Sequence, residues 1–198
     1  TVKDYKELLN RAVEKYGDKV AFKYKKDLKA KNPEYVEHTF KDYKNDVTKL
    51  GTALLDMGLE GKKVALIGRN RYEWVVTHIS NLFGGIVSVP IDKELQVNEL
   101  EDSLIRSKVD AIVFDEKYIE NIEYIKQNGK TNIKEFICMG NIDGYKTFNE
   151  VLKKGYEKLK NGEKDFIDYK IDPYKMSILL FTSGTTSKSK AVMLCQKG

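Results

Sequence analysis

The sequence predicts an α/β fold with three layers, in which helices flank a mostly parallel sheet. Two observations predict this class. Short apolar runs of four to six residues alternate along the chain with longer amphipathic segments whose apolar residues recur at helical spacing. Glycine or proline stands beside most of the short runs, as expected where strands and helices end. Because an uninterrupted apolar run is typical of a strand buried on both faces, this alternation indicates βα units and a parallel sheet.

The first predicted elements are a helix and a hairpin. The apolar residues at helical spacing near the start of the chain are Tyr5, Leu8, Leu9, Ala12, Val13 and Tyr16. Gly17 follows them and predicts the helix end. Val20, Phe22 and Tyr24 alternate as the residues of a half-buried strand do, and we expect residues 35–38 to pair back on that strand.

Two helix starts carry capping signals. Thr39 and Asp42 have the spacing of a capping box, which predicts a helix from there to Gly58. Asn70 precedes another amphipathic segment and has Glu73 three residues later, so we predict that Asn70 caps the next helix.

The repeating βα units begin at residue 64. The strands predicted for the main sheet are residues 64–67, 86–89, 111–114, 135–139 and 176–181. The helices predicted between them include one over residues 97–105, one that ends at Gly129 and one over residues 148–159. The charged stretch 162–172 is the best candidate for a linker, with a surface loop of the same domain as the alternative.

Composition limits the class of protein. The chain has 198 residues with 41% apolar and 33% charged side chains, which predicts one soluble α/β domain over residues 1–198. No apolar segment approaches the roughly 20 residues of a membrane span, and no secretory signal is present. Cys138 and Cys195 lack metal-ligand or redox spacing, which indicates reduced thiols in a cytoplasmic protein. The net charge of +5 is small, and nearly all the positively charged side chains are lysines. Because nucleic-acid binders usually cluster their charge and use more arginine, we expect no nucleic-acid partner.

The loop after the strand 176–181 holds the densest group of polar residues. It carries the hydroxyls of Thr182, Ser183, Thr185 and Thr186 around Gly184, and Lys188 and Lys190 follow them. Hydroxyls, a glycine that permits positive φ and lysine charge suit a polyphosphate, and ligands of open parallel sheets bind beyond the carboxyl ends of strands. The loop lacks the second glycine of a Walker motif, and Ser183 lacks the preceding glycine of a nucleophile elbow. On composition alone, a solvated hairpin turn stays open beside the phosphate-binding loop.

A pair of aromatic residues beside two arginines, and one histidine, can each be interpreted as either a binding or a packing feature. Tyr72 and Trp74 beside Arg69 and Arg71 could stack on nucleic-acid bases, but a helix whose tryptophan packs on the sheet is the interpretation we favour. His78 lies one turn after Trp74 on the apolar face. We expect a hydrogen-bonded histidine of the core there, and no metal ligand.

Three segments resemble a known family. The segment FTSGTTSKSKAVML, residues 181–194, resembles the phosphate-binding motif of the adenylate-forming, or AMP-binding, enzymes. GRNRYEW, residues 68–74, and GGIVSVPIDKELQVNEL, residues 84–100, are similar to the long-chain fatty acid–CoA ligase branch. The resemblance implies a ligase that uses ATP, Mg²⁺ and coenzyme A to convert a fatty acid to acyl-adenylate and then acyl-CoA. The residues that it implies for binding the β- and γ-phosphates are Thr182, Ser183, Gly184, Thr185, Thr186 and Lys190.

The sequence differs from the family motif at four positions, and the resemblance also implies that the chain is part of a longer protein. Serines at 187 and 189, Ala191 and Gln196 stand where the family has glycine, proline, glycine and histidine, which predicts weaker phosphate binding or a low-activity member. We expect the chain to be the N-terminal portion of a longer ligase, without the rest of the large domain and the C-terminal catalytic lid, and inactive alone. A ligase for another carboxylate and a non-catalytic nucleotide-binding relative stay open. A fatty substrate would also suit peripheral membrane contact.

Overall fold

A computed structural model describes residues 2–27, 29–182 and 189–197. Its helices are α1 Tyr5–Tyr16, α2 Phe40–Asp56, α3 Tyr72–Phe83, α4 Val97–Ser107, α5 Ile119–Asn128, α6 Phe148–Lys160 and α7 Asp165–Asp168. Its strands are β1 Val20–Lys25, β2 Tyr35–Thr39, β3 Lys63–Ile67, β4 Val87–Pro90, β5 Ala111–Phe114, β6 Glu135–Cys138, β7 Lys146–Thr147, β8 Ile178–Thr182 and β9 Lys190–Leu194.

Within the described residues, the strands form a two-stranded antiparallel sheet of β1 and β2 and a seven-stranded sheet in the order β7-β6-β5-β3-β4-β8-β9. Every neighbouring pair in the large sheet is parallel except β8 and β9. The predicted α/β class with a mostly parallel sheet is therefore confirmed. Because the parallel strands run in one direction, the carboxyl ends of β3, β4, β5, β6 and β8 lie along one edge.

The large sheet is covered on both faces. One core contains Val64 of β3 and buried residues of α2, α3 and α6, with Leu9 from α1 and Phe166 from α7. The other core contains Ala65 of β3 and the buried apolar residues of α4 and α5. Alternate residues of β3 thus point to opposite faces, as the pleat requires. Each fully buried Leu or Ile stabilises the fold by about 2 kcal/mol relative to an exposed one, so these layers hold the sheet edge rigid.

The two predicted caps have different outcomes. Thr39 caps α2 and forms the full capping box with Asp42, which confirms that prediction. The prediction that Asn70 caps α3 was wrong, because Arg71 is the N-cap residue and makes no side-chain capping bond. Glu73 does not reach back to the cap backbone. Its carboxylate accepts hydrogen bonds from Arg71 instead, with Nε 2.8 Å from Oε2.

The charged stretch 162–172 is packed into the domain and is not a loose linker. It contains α7, whose Phe166 is 2% exposed. A Cβ atom on Gly51 would overlap the Phe166 ring, so the ring sits directly on the backbone of α2. Lys6 of α1 donates to the carbonyl oxygens of Phe166, Ile167 and Tyr169 at 2.7 to 3.2 Å. These contacts attach the stretch to α1 and α2.

Candidate functional site

The loop singled out in the sequence joins β8 to β9. The two strands pair antiparallel, and Thr182 with Lys190 is their last pair before the loop. The Thr182 hydroxyl donates to the carbonyl oxygen of Lys190 at 3.4 Å. Because β8 is parallel to β4, the loop leaves from the edge at which the parallel strands end. Thr182 and Lys190 thus lie at the edge where open sheets bind ligands, as expected for the end of the predicted strand.

The described residues include two of the six predicted site residues. Thr182 and Lys190 lie side by side at the end of the hairpin, and both are exposed. Ser183, Gly184, Thr185 and Thr186 lie outside the described residues. The Lys190 ammonium group can donate hydrogen bonds to an anion such as a phosphate group, and the Thr182 hydroxyl can do so once it gives up its long bond to the Lys190 carbonyl oxygen.

Arg106 contacts both ends of this loop. Its Nη2 donates to the carbonyl oxygen of Ser189 at 2.8 Å, and its Nη1 donates to the Ser189 hydroxyl at 3.1 Å. Its guanidinium carbon lies 5.3 Å from the centre of the Phe181 ring. The sequence pattern did not indicate a role for Arg106. No local pattern could have, since 83 positions separate it from Ser189 and the contact depends on how α4 packs beside β8.

An ion-pair cluster occupies the carboxyl ends of β3 and β5. Arg69 donates from Nε and Nη2 to the two oxygens of Asp115, at 2.7 and 2.8 Å, and its backbone N–H donates to the same carboxylate at 3.1 Å. Asp115 is fully buried. Burial alone would raise the pKa of Asp115, but the hydrogen bonds from Arg69 and from the backbone of Lys117 outweigh it and lower that pKa to about 2. Asp115 is therefore a charged structural anchor at neutral pH.

Arg71 completes this cluster. It donates to both oxygens of Glu73 and to Glu116, at distances of 2.7 to 3.0 Å. Burial lowers the pKa of Arg71, but its hydrogen bonds to Glu73 and Glu116 outweigh that effect and raise it. Since carboxylates already neutralise both arginines, the cluster ties β3 to β5 and is poorly suited to receive an anionic ligand.

The aromatic residues beside this cluster are packed inside the fold. Tyr72 is 6% exposed, its ring stacks on His38 with 3.8 Å between ring centres, and its hydroxyl donates to Asp46 at 3.0 Å. Trp74 is partly buried, packs against the core on the α3 side of the sheet and stacks on His78. We favour the interpretation that the tryptophan packs on the sheet, and Trp74 does pack against the core cluster that covers this face of the sheet. Tyr72 is too buried for base stacking.

His78 is a hydrogen-bonded histidine of the core, as predicted. Its Nδ1 lies 2.8 Å from the hydroxyl of Ser88 in β4, which also accepts a hydrogen bond from Asn81 at 3.3 Å. Burial lowers the pKa of His78 to about 4, so the ring is neutral at pH 7.

Gln196, which stands where the family has histidine, has structural contacts. Its Nε2 donates to the carbonyl oxygen of Leu82, and its Oε1 accepts from the backbone N–H of Tyr5.

In the described ranges, no three or more His, Cys, Asp or Glu side chains are grouped so that they could hold a metal ion. Among the helices of that same part of the chain, none combines the length and the apolar character that crossing a bilayer requires.

Sequence comparison relates the chain to known enzymes. The profile of the family described as AMP-binding enzyme matches residues 9–198. Long chain acyl-CoA synthetase 4 of Arabidopsis thaliana is 26% identical over 195 residues, which are 95% of this chain and 29% of that protein. 4-hydroxybutyrate–CoA ligase 2 of Metallosphaera sedula is 27% identical over 193 residues, which are 96% of this chain and 34% of that one. The chain thus spans about a third of the length of these curated relatives.

Solved structures share the fold. The anthranilate CoA ligase AuaEII in complex with anthranoyl-AMP superposes with a TM-score of 0.79 at 21% identity, covering 99% of this chain and 35% of that one. A long-chain-fatty-acid-CoA ligase, FadD1 from Archaeoglobus fulgidus, superposes with a TM-score of 0.77 at 24% identity, covering 95% of this chain and 36% of that one. At these identities the superpositions establish the fold alone.

Proposed function

The chain belongs to the AMP-binding enzyme family, and from that membership we propose that it is the N-terminal portion of an ATP-dependent ligase that activates a long-chain fatty acid. The ligase would form acyl-adenylate first and acyl-CoA second. The observation that carries the proposal is the hairpin of β8 and β9, which presents Thr182 and Lys190 at the carboxyl end of a strand of the parallel sheet.

The residues proposed to bind the β- and γ-phosphates of ATP are Thr182, Ser183, Gly184, Thr185, Thr186 and Lys190. Thr182 and Lys190 support this role because both are exposed at the open end of the hairpin. A lysine ammonium and several short hydroxyls neutralise and orient a polyphosphate without themselves entering the covalent chemistry.

In the first half-reaction a carboxylate oxygen attacks the α-phosphorus of ATP, and the bond to the pyrophosphate oxygen breaks. The proposed role of the hairpin is to hold the pyrophosphate and stabilise the charge that it gains as it leaves. In the second half-reaction the thiol sulfur of coenzyme A attacks the acyl carbon, releasing AMP and the thiol proton. The described residues include no group of carboxylates that could hold Mg²⁺. We therefore propose no Mg²⁺ ligand among them and assign no step of either half-reaction to the metal.

The long-chain substrate is the finer part of the proposal. It rests on the similarity of residues 68–74 and 84–100 to the long-chain branch. One similar relative is named for long-chain acids and another for 4-hydroxybutyrate, and their identities to this chain are nearly equal. Because the chain spans about a third of these relatives, we also propose that it needs the remainder of a longer protein for either half-reaction.

The test is exchange of labelled pyrophosphate into ATP by the full-length parent protein, with fatty acids of graded length and with short hydroxy and aromatic acids. Exchange that is greatest with long chains is expected. Exchange that is greatest with another acid would support the proposed adenylation activity and contradict the proposed long-chain substrate. ATP binding without exchange for any carboxylate would identify a non-catalytic nucleotide-binding relative and contradict the proposal.

A further inference from the structure

The guanidinium group of Arg106 connects three chain segments at the loop. It is attached to α4, stacks over Phe181, which precedes the last residue of β8, and donates two hydrogen bonds to Ser189, which precedes β9. Phe181 and Ser189 stand on opposite sides of the pair formed by Thr182 and Lys190. One side chain therefore contacts β8 at Phe181 and, at Ser189, the residue that leads into β9.

The base from which Arg106 reaches the loop is rigid. Leu100 and Leu104 of α4 are fully buried against the sheet, and Asp102 lies one turn before Arg106 with an oxygen 3.4 Å from its Nη1. A guanidinium group is planar and presents its donors in a fixed fork, so two hydrogen bonds to one residue define both distance and direction. The contact with Ser189 thus fixes the start of β9 relative to α4.

We propose that Arg106 is a positioning residue for polyphosphate binding: by holding Phe181 and Ser189 it keeps Thr182 and Lys190 in the register that an ATP polyphosphate requires. This inference rests on the proposed function. β9 is the edge strand of the large sheet in the described residues, and all five of its residues are exposed. Without the contact, Lys190 is held less firmly beside Thr182, and the cost of ordering the pair on binding would reduce ATP affinity. Ser189 suits this contact because its hydroxyl supplies the second acceptor, which a proline at that position would lack.

The first measurement is steady-state pyrophosphate exchange by the full-length parent carrying Arg106→Gln, Arg106→Lys or Arg11→Gln. Arg11→Gln is the matched control, since it makes the same change of charge on α1. Both Arg106 variants are expected to raise the KM for ATP about tenfold, with kcat and the KM for the carboxylate little changed. If Arg106→Lys retains the wild-type KM for ATP, a simple charge is sufficient and the positioning role is overturned.

The second measurement does not depend on activity. Amide hydrogen exchange of the peptide covering residues 180–192, in the absence of ATP, is expected to be faster in Arg106→Gln than in wild type or Arg11→Gln. Unchanged exchange there would overturn the inference whatever the kinetics. A parent protein that exchanges no pyrophosphate, together with faster amide exchange in Arg106→Gln, would contradict the proposed function and leave the hairpin contact established. Should Arg106→Gln fail to fold, Ser189→Ala removes one acceptor and is expected to change the same readouts in the same direction.

Discussion

Arg69 and Asp115 form a two-pronged ion pair that joins the carboxyl ends of β3 and β5, with Nε–Oδ2 and Nη2–Oδ1 distances of 2.7 and 2.8 Å. The carboxylate is fully buried, whereas the guanidinium side chain is 45% exposed. The pair lies along the same edge of the sheet as the hairpin of Thr182 and Lys190. It therefore braces β3 and β5, which β4 separates from the strands of the candidate site, and its loss is expected to destabilise this part of the sheet edge.

The change Asp115→Asn is expected to destabilise the protein by about 2 to 3 kcal/mol, because it leaves Arg69 and Arg71 beside a neutral amide. We do not expect the largest free-energy losses seen when buried ion pairs are broken, because the Arg69 side chain is partly exposed to water. Urea unfolding measures the effect. Asp18→Asn is the matched control, because the Asp18 side chain is 97% exposed and should change the free energy of unfolding by less than about 0.5 kcal/mol. Equal effects of the two variants would contradict the role given to Asp115.

The stability of the protein is expected to fall in acid through the same carboxyl group. The pKa of Asp115 is lowered from 3.8 to about 2 on folding, so the folded state favours the charged form. Its contribution, about 2 kcal/mol at 1.36 kcal/mol per unit, is present above roughly pH 5 and is lost as the pH falls towards 2. Urea unfolding of wild type and Asp115→Asn from pH 6 to pH 2.5 should show the difference between them narrowing. A difference that stays constant over that range would exclude Asp115 as the titrating group.

The crossing of α2 and α6 is expected to tolerate no side chain at Gly155. A Cβ atom there would overlap the backbone carbonyl oxygen of Lys49, which cannot rotate away. Gly155→Ala gains helix propensity of about 1 kcal/mol but is expected to destabilise the protein by about 2 kcal/mol net, because the helices must separate. Thermal unfolding tests this, with Lys153→Ala on the exposed face of α6 as the control. Stabilisation by Gly155→Ala would show that the two helices can move apart at little cost.

The attachment of α7 is expected to depend on Lys6. Lys6→Met keeps most of the apolar stem but removes three hydrogen bonds to the carbonyl oxygens of Phe166, Ile167 and Tyr169. A loss of about 1 to 2 kcal/mol in the free energy of unfolding is expected, with faster amide exchange confined to α1 and residues 162–172. Lys3→Met, the same change at an exposed residue just before α1, serves as control. Unchanged exchange in α7 would show that Phe166 alone holds the segment.

The role proposed for Lys190 predicts a loss of ATP binding. Lys190→Ala in the full-length parent is expected to raise the KM for ATP in pyrophosphate exchange by about tenfold or more, because a charge-assisted contact to phosphate is removed. Lys134→Ala makes the same change at an exposed residue next to the amino end of β6, away from the hairpin, and should leave the KM unaltered. Equal KM values for all three proteins would remove Lys190 from the proposed site.

Periodicity and capping chemistry predicted much of the fold. The capping box of Thr39 and Asp42 is local, since every group it uses lies within four residues, and it formed as predicted. Asn70 and Glu73 have a similar spacing, yet the carboxylate of Glu73 bonds to Arg71, in a cluster with Glu116 that is assembled across β3 and β5. A tertiary ion pair thus overrode a local capping signal. The two residues of β7 were too few to carry a strand pattern.

By itself the sequence determined the α/β class, the order of the main elements, the core role of His78 and the position of the polar loop directly after a strand of the parallel sheet. These depend on which residues follow one another and on the side-chain periods of helix and strand. Only the tertiary structure decided that Arg106 contacts Ser189, that Asp115 is a buried anion and that Phe166 packs on the backbone at Gly51. Such contacts join residues 46 to 115 positions apart, and the packing of the layers sets their distances.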